Sequence, residues 1–379
     1  MNHHQNMAGG QVNTHFYVVF FIIFFCCCSV LVQSQVPKNK TFRIINQGDY
    51  QNVVSEYGST FRFAKPNANF NMDPFGLYFY NTTFNAYVLG IGGGSPYQNM
   101  MLRTDNQIHW VWDANRNDPV REKATLTFSR NGNLVLADVD GRIVWQTYTA
   151  NKGVTGIIMR KYGNLVLHDK NGRFVWQSFQ HPTDTLVAGQ SLQLKGNSIK
   201  LVSRTSNRNS CDGRYSIVID DKHGLTMYKN TSGKLVRYAG WEAKGVSNVT
   251  FHSVTRIDPV QPEPSFEEKG NTSYFLSLGF SVGKKAKTHS KRVILKIMAT
   301  TFGHYSHLRL ESDGNLKVYS YSLRQNFPEE SSWKKDYAFF GDTVKECALR
   351  SKCGTSGKCY GRLCSACPRN RSSGCMITS

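Results

Sequence analysis

The sequence predicts an all-β protein, and three observations carry that prediction. LTFSRNGNLVLADVDGRIVWQT, from Leu126, is followed by GIIMRKYGNLVLHDKNGRFVWQS, so Asn133 recurs at Asn164, Gly141 at Gly172 and Trp145 at Trp176, each 31 residues on. A fixed period of this kind marks a repeated supersecondary unit that cannot bury its apolar side alone. From Phe61 to Trp112 come short aromatic runs, FRFA, LYFYNTTF, AYVLGI and HWVWD, parted by Pro, Asn and Gly clusters, which is the spacing of strands and turns. No stretch shows the apolar spacing of an amphipathic helix of convincing length.

Each repeat copy alternates apolar residues, Leu134 and Leu136 or Leu165 and Leu167, and then closes on Ile143-Val144-Trp145 or Phe174-Val175-Trp176. Period-two alternation with Asn131-Gly132, Asp140-Gly141 and Asn171-Gly172 at the bends describes hairpins, because those dipeptides accept the positive φ of tight turns. Upstream, LGIGGGSPY brings a dinucleotide loop to mind, but its glycine spacing is wrong and Pro96 stands where a helix would begin. The stretch from Gly90 to Tyr97 is therefore read as a loop between strands. His181-Pro182-Thr183-Asp184 offers a catalytic His/Asp pair on paper. Pro182 and the hydrogen-bonding side chains beside it make a structural corner the better reading.

Strand patterns resume at Tyr215 with YSIVID, LTMYK and LVRYAGW, and continue in YFLSLGF, RVILKIM and HLRLESDGNLKVYSY. The last of these repeats the earlier theme at Asp313-Gly314-Asn315-Leu316. Between them, the Pro-rich acidic segment from Pro259 reads as a surface loop, and GKKAKTHSKR (Gly283 to Arg292) as a solvated hairpin tip, with polyanion or nucleic-acid contact as rivals.

The repeats, together with VWDANRNDPV upstream and WQSFQHPTDTL downstream, resemble the bulb-type mannose-binding lectins and the S-locus glycoproteins, and within them the epidermis-specific secreted glycoproteins of plants. The resemblance implies an all-β fold with two β-prism-like bulb-lectin domains in tandem, at residues 50–190 and 198–340, plus a small disulfide-rich EGF-like module at 347–375. Relatives of this kind continue into a PAN/apple domain, so the sequence reads as a shortened member or an incomplete gene model.

In that family mannose is held by Q-x-D-x-N-x-V-x-Y on one strand. Gln, Asp and Asn spaced two apart share a strand face, and each can donate to or accept from a sugar hydroxyl. Carried onto this chain, the first frame becomes Ser129, Asn131, Asn133, Val135, Ala137, and the second Arg160, Tyr162, Asn164, Val166, His168. Only Asn and Val survive in each, so both are degenerate. Losing two hydrogen bonds at roughly 0.5–1.5 kcal/mol each weakens a site by about 5- to 150-fold. The retained Asn133 and Asn164 are expected to serve turns. A third frame, Glu311, Asp313, Asn315, Lys317, Tyr319, keeps Asp, Asn and Tyr, which makes Glu311, Asp313, Asn315 and Tyr319 the candidate carbohydrate site.

At 379 residues the chain has room for two domains and a small module. Tyr17 to Val32 is apolar and leads to the small Ser34, which reads as a signal peptide over residues 1–34. The flank before it has no Lys or Arg, so an uncleaved anchor is the rival; no second long apolar run follows. Six Asn-x-Ser/Thr sequons, at Asn39, Asn81, Asn230, Asn248, Asn271 and Asn370, fit an exported glycoprotein.

Cys347, Cys353, Cys359, Cys364, Cys367 and Cys375 crowd the C-terminal region. In an exported chain such a set reads as a disulfide framework whose connectivity sequence leaves open, with zinc as the rival because of Cys364-x-x-Cys367. The EGF-like resemblance implies Cys347 with Cys359, Cys353 with Cys364 and Cys367 with Cys375, leaving Cys211 as a free thiol or an intermolecular link.

The formal charge of +20 favours a polyanionic partner. For an exported chain that means an acidic wall polysaccharide such as pectin rather than nucleic acid. Neither G-x-S-x-G nor H-E-x-x-H nor a P-loop is present, so an enzyme is not expected, and no cofactor or metal site is expected. The reading is a secreted, glycosylated lectin-like protein of the cell wall or apoplast that binds glycans or a protein partner weakly. Its rival is a receptor-like decoy that pairs with a membrane receptor kinase.

Overall fold

The computed structural model describes residues 35–51, 55–64, 74–94, 108–197, 199–220, 222–257, 270–280, 291–298, 305–322, 332–341, 358–360, 363–366 and 376–378. In chain order the first strands are β1 (Phe42–Ile45), β2 (Thr60–Phe63), β3 (Phe75–Asn81), β4 (Val88–Gly93), β5 (His109–Asp113), β6 (Thr125–Phe128), β7 (Leu134–Ala137), β8 (Ile143–Gln146), β9 (Val154–Arg160), β10 (Asn164–Asp169) and β11 (Phe174–Gln177). They form three antiparallel sheets, ordered β1-β6-β7-β8, β2-β3-β4-β5 and β11-β10-β9. The 31-residue repeat is thus one hairpin unit in each of two sheets.

Twelve more strands follow: β12 (Thr185–Val187), β13 (Ser191–Gln193), β14 (Lys200–Ser206), β15 (Asn209–Asp220), β16 (Gly224–Thr231), β17 (Lys234–Trp241), β18 (Val246–Ile257), β19 (Gly270–Phe280), β20 (Lys291–Met298), β21 (Tyr305–Leu310), β22 (Leu316–Ser322) and β23 (Ser332–Ala338). These make three four-stranded sheets, β12-β21-β22-β23, β13-β18-β19-β20 and β14-β15-β16-β17. In the cysteine-rich region β24 (Lys358–Tyr360), β25 (Leu363–Ala366) and β26 (Met376–Thr378) form a small sheet that sets Cys359 opposite Cys364. Cys347, Cys353, Cys367, Cys375 and the signal segment lie outside the described residues.

Alternation builds each core. Leu126, Phe128, Leu134 and Leu136 from one sheet, Leu77, Phe79, Leu89 and Ile91 from a second, and Met159, Leu165 and Leu167 from the third meet in one buried cluster. At its centre stand Trp112 of β5, Trp145 of β8 and Trp176 of β11, one from each sheet. Their ring centroids are 5.7–6.1 Å apart and their planes tilt by 72–75°. Edge-to-face pairs of this kind add about 0.5–1.5 kcal/mol beyond the area they bury. The second set has its own cluster, with Ile217, Met227, Val249, Leu276, Leu308 and Leu316.

Two details depart from the sequence reading. Pairing begins upstream of residue 50, because β1 lies against β6 with Phe42 opposite Phe128. The glycine run expected to be a loop is the strand β4 through Gly93. Side chains at Gly90, Gly92 and Gly93 would collide with Tyr80, Ile108 and Phe75 at 2.7–2.8 Å. Glycine is placed there so that aromatic rings can lie on the backbone, a reason that strand propensity does not contain.

Trp176→Ala is expected to lower stability by about 3–5 kcal/mol, read as a shift in the urea midpoint, with Trp176→Phe losing clearly less. A loss below about 1 kcal/mol would show that the triad does not hold the three sheets together.

Candidate functional site

The three motif frames share one local structure. Gly132, Gly163 and Gly314 have φ of 83°, 80° and 87°, and each is followed by an Asn and a fully buried Leu (134, 165, 316). The positive φ ends one strand and starts the next, so a frame does not lie along a single strand. Ser129 follows the end of β6, Asn131 sits on the turn, and Asn133 directly precedes β7. A fan of side chains two apart on one face does not form, because the glycine turn bends the frame between its second and third positions.

The asparagines are spent on the backbone. Asn133 Oδ1 accepts from the Thr149 amide (3.0 Å) and from Thr147 Oγ1 (3.0 Å), while its Nδ2 donates to Gln146 (2.8 Å). Asn164 repeats this with the Phe179 amide (3.4 Å) and Gln177 (2.9 Å). Asn315 repeats it again with the Phe340 amide (3.1 Å) and is fully buried. Asn131 and Asp313 hold their turns by accepting from the amides of Asn133 and Asn315 (3.0 and 2.8 Å). In the second frame Tyr162 takes a left-handed φ of 64° and packs on Tyr305, Arg160 lies over the Phe174 ring at 5.4 Å, and Val166 is fully buried. Val135 stays half-buried.

In the third frame Glu311 and Tyr319 do come together, the tyrosine hydroxyl donating to the carboxylate at 2.7 Å. The sheet face that carries them is packed against the first set of sheets. Arg309, on the same face, is buried and donates to Glu56, to the Trp110 carbonyl (2.6 Å), to Tyr57 (3.1 Å) and to Thr185 (3.2 Å). His307 and His109 pack edge to face at 5.2 Å, His307 stacks on Tyr319 and His109 on Trp333, and Trp333 Nε1 reaches the Gly93 carbonyl at 2.8 Å. Asn315 is therefore unavailable to a sugar, and the Glu311–Tyr319 pair belongs to the seam between the two sets of sheets.

The seam shifts its titrating groups. Burial, with Arg309 adding to it, holds both His109 and His307 well below the ordinary histidine range. Neither ring nitrogen of His307 has a hydrogen-bond partner among the described residues. Glu311 is pushed up by burial against the pull of Arg309.

Asp184 of the His-Pro-Thr-Asp corner faces Arg204 (3.2 Å) and Arg116 (3.9 Å), fully buried, and Arg204 also reaches Asp113 and Tyr80 (2.9 and 2.8 Å). The corner is a buried ion network, not backbone capping alone. His181 offers its carbonyl to Trp112 Nε1 (2.8 Å) and stacks on Trp176.

Among the sequons, Asn39 and Asn230 are exposed and Asn248 is half-buried. Asn81 is only 8% exposed and accepts from Thr60, so its side chain faces into the fold. The Asn271 side chain and Asn370 lie outside the described residues. Cys211 is half-buried and forms no disulfide among the described residues.

One pair escaped the sequence reading. Tyr228 Oη donates to Asp220 Oδ2 at 3.0 Å, repeating the Tyr319–Glu311 contact at the same spacing of eight residues but on the open sheet β14–β17. The signal was D-x-K-x-G-x-T-x-Y, too far from the family frame to be noticed as text.

The all-β fold is consistent with a bulb-type lectin, and the family model described as D-mannose binding lectin matches residues 109–208, which carry the tryptophan-closed hairpins and two of the Gly-Asn-Leu turns. The chain belongs to the EP1-like glycoproteins. It is 45% identical over 354 residues to EP1-like glycoprotein 2 of Arabidopsis thaliana, covering 89% of this chain and 74% of that one. It is 38% identical over 357 residues to the epidermis-specific secreted glycoprotein EP1 of Daucus carota, covering 88% and 84%. A G-type lectin S-receptor-like serine/threonine-protein kinase of Arabidopsis thaliana is 25% identical over 266 residues, 69% of this chain and 27% of the kinase.

The seam predicts acid sensitivity. The unfolded chain takes up histidine protons near pH 6.5, whereas folded His109 and His307 resist them, so stability falls as pH drops below about 6.5. Glu311, raised by burial, opposes this at lower pH. The slope is therefore read in thermal midpoints between about pH 7.5 and 6, and His307→Phe is expected to flatten it. An unchanged slope in that variant would remove His307 from the account.

Proposed function

We propose that this chain is a secreted, glycosylated, non-enzymatic lectin-like protein of the plant cell wall or apoplast, with two bulb-lectin units followed by a cysteine-rich EGF-like module. In this reading the mannose frames serve the fold, and the protein binds glycans or a partner protein weakly through other surfaces. The observation that carries it is the shared fate of Asn133, Asn164 and Asn315, each of which satisfies a backbone amide inside the protein. A hydroxyl-binding side chain already committed in this way has little left to offer a sugar. Export is supported by the carrot relative, whose name gives it as secreted and epidermis-specific, and by the exposed sequons Asn39 and Asn230.

Shallow sugar sites gain strength from multivalency rather than from single contacts. Weak binding at an open sheet face is in keeping with such a role in a wall rich in repeated ligands. A second reading, an interaction protein that pairs with a membrane receptor kinase, draws on the receptor-like kinase that aligns with 69% of this chain. Co-purification with such a kinase, indifferent to added sugar, would favour it.

The test is a glycan array with the purified glycoprotein. Binding that free mannose does not displace is the expected result. Tight binding that mannose competes, and that Asn133→Ala or Asn164→Ala abolishes in a folded protein, would overturn the proposal.

A further inference from the structure

The outward face of the β14–β17 sheet has the makings of a site. β15 alternates, with Tyr215, Ile217 and Ile219 buried in the core and Arg214, Ser216, Val218 and Asp220 facing out. Register places Val202, Ser216, Tyr228 and Arg237 in one row across the four strands, and Lys200, Val218, Thr226 and Gly240 in the next. Lys200, Arg214 and Arg237 are all exposed.

Their chemistry is unbalanced. Asp220, on the same face at the end of β15, is already engaged by the Lys222 amide (2.8 Å), the His223 amide and ring (3.1 Å each) and Tyr228 (3.0 Å). Arg237 meets the exposed Glu242 at 2.9 Å beyond the row, and its charge is felt at the Tyr228 hydroxyl. Gly240 carries no side chain in the row beside Tyr228. The face is thus a half-buried tyrosine flanked by the exposed cations Lys200, Arg214 and Arg237, the last already sharing Glu242.

We propose that this face binds an acidic oligosaccharide, a run of uronate sugars, with Arg214, Arg237 and Lys200 pairing its carboxylates and Tyr228 contacting a sugar ring. The proposal rests on the lectin-like reading above and names its ligand class and place. Guanidinium groups pair carboxylates through two parallel hydrogen bonds, which makes arginine the fitting residue. Arg214 and Arg237 stand on strands two apart, about 9–10 Å across the sheet and about 7 Å along it, the reach of two or more sugar rings. The chain's +20 charge would draw such a polyanion in.

The experiment titrates the purified full-length glycoprotein with an oligogalacturonide, its methyl-esterified form and mannan, at low and physiological salt. Arg214→Gln with Arg237→Gln is expected to weaken oligogalacturonide binding about tenfold or more, and Tyr228→Phe about threefold, with thermal midpoints unchanged. Lys334→Gln with Lys335→Gln, exposed lysines of β23, removes the same charge elsewhere and is expected to change little. Equal loss in that control, equal binding of the esterified chain, or full affinity in the arginine variant would each overturn the proposal. Mannan binding that the arginine variant leaves intact, without oligogalacturonide binding, would sink this site but keep the lectin reading. Binding to no glycan at all would sink both.

Discussion

The buried guanidinium groups of Arg309 and Arg204 are the constraint on which the arrangement of this molecule depends. A charge taken out of water is tolerated only where partners surround it, and removing one partner of such a pair typically costs about 3–5 kcal/mol. Arg309 finds Glu56, Tyr57 and the Trp110 carbonyl in the first set of sheets, while Arg204 finds Asp113, Tyr80 and Asp184. Both residues come from the second set and both spend their hydrogen bonds mainly on the first. The two sets are therefore locked with one sheet face of each turned inward, and a face that in a separate unit would meet solvent becomes interior.

That geometry explains why the best-preserved sugar frame is not an open site. Glu311 and Tyr319 kept their side chains and their mutual hydrogen bond, yet His307, His109 and Trp333 fill the space before them. The equivalent pair Asp220 and Tyr228 is half-buried on a sheet face that also carries the exposed Lys200, Arg214 and Arg237. The same local chemistry thus has different neighbours in two sheets, packed rings in one and exposed cations in the other.

Persistence of Gly-Asn-Leu in three frames follows from folding rather than recognition. Glycine supplies the left-handed bend, asparagine closes the segment that returns from the next strand, and leucine fills the core. Ser129, Arg160 and Ala137 carry none of these duties, so nothing in the turn resists their divergence. Within each frame, the residues that build the turn are the ones that recur.

Sequence by itself determined the strands, the hairpin turns and the tryptophan closure. These depend on period-two alternation and on positive-φ residues, which are local and can be read along the chain. It also identified the turn duty of Asn133 and Asn164. It misjudged Gly90 to Gly93, because those glycines answer to aromatic rings from Tyr80, Phe75 and Ile108's neighbourhood, which only the folded sheet brings near. It could not see that Asn315 is sealed in, that Asp184 neutralises arginines, or that Asp220 and Tyr228 pair on the outward face of their sheet, since burial and charge pairing between residues far apart in sequence are set by how sheets pack, and only the tertiary structure decides that.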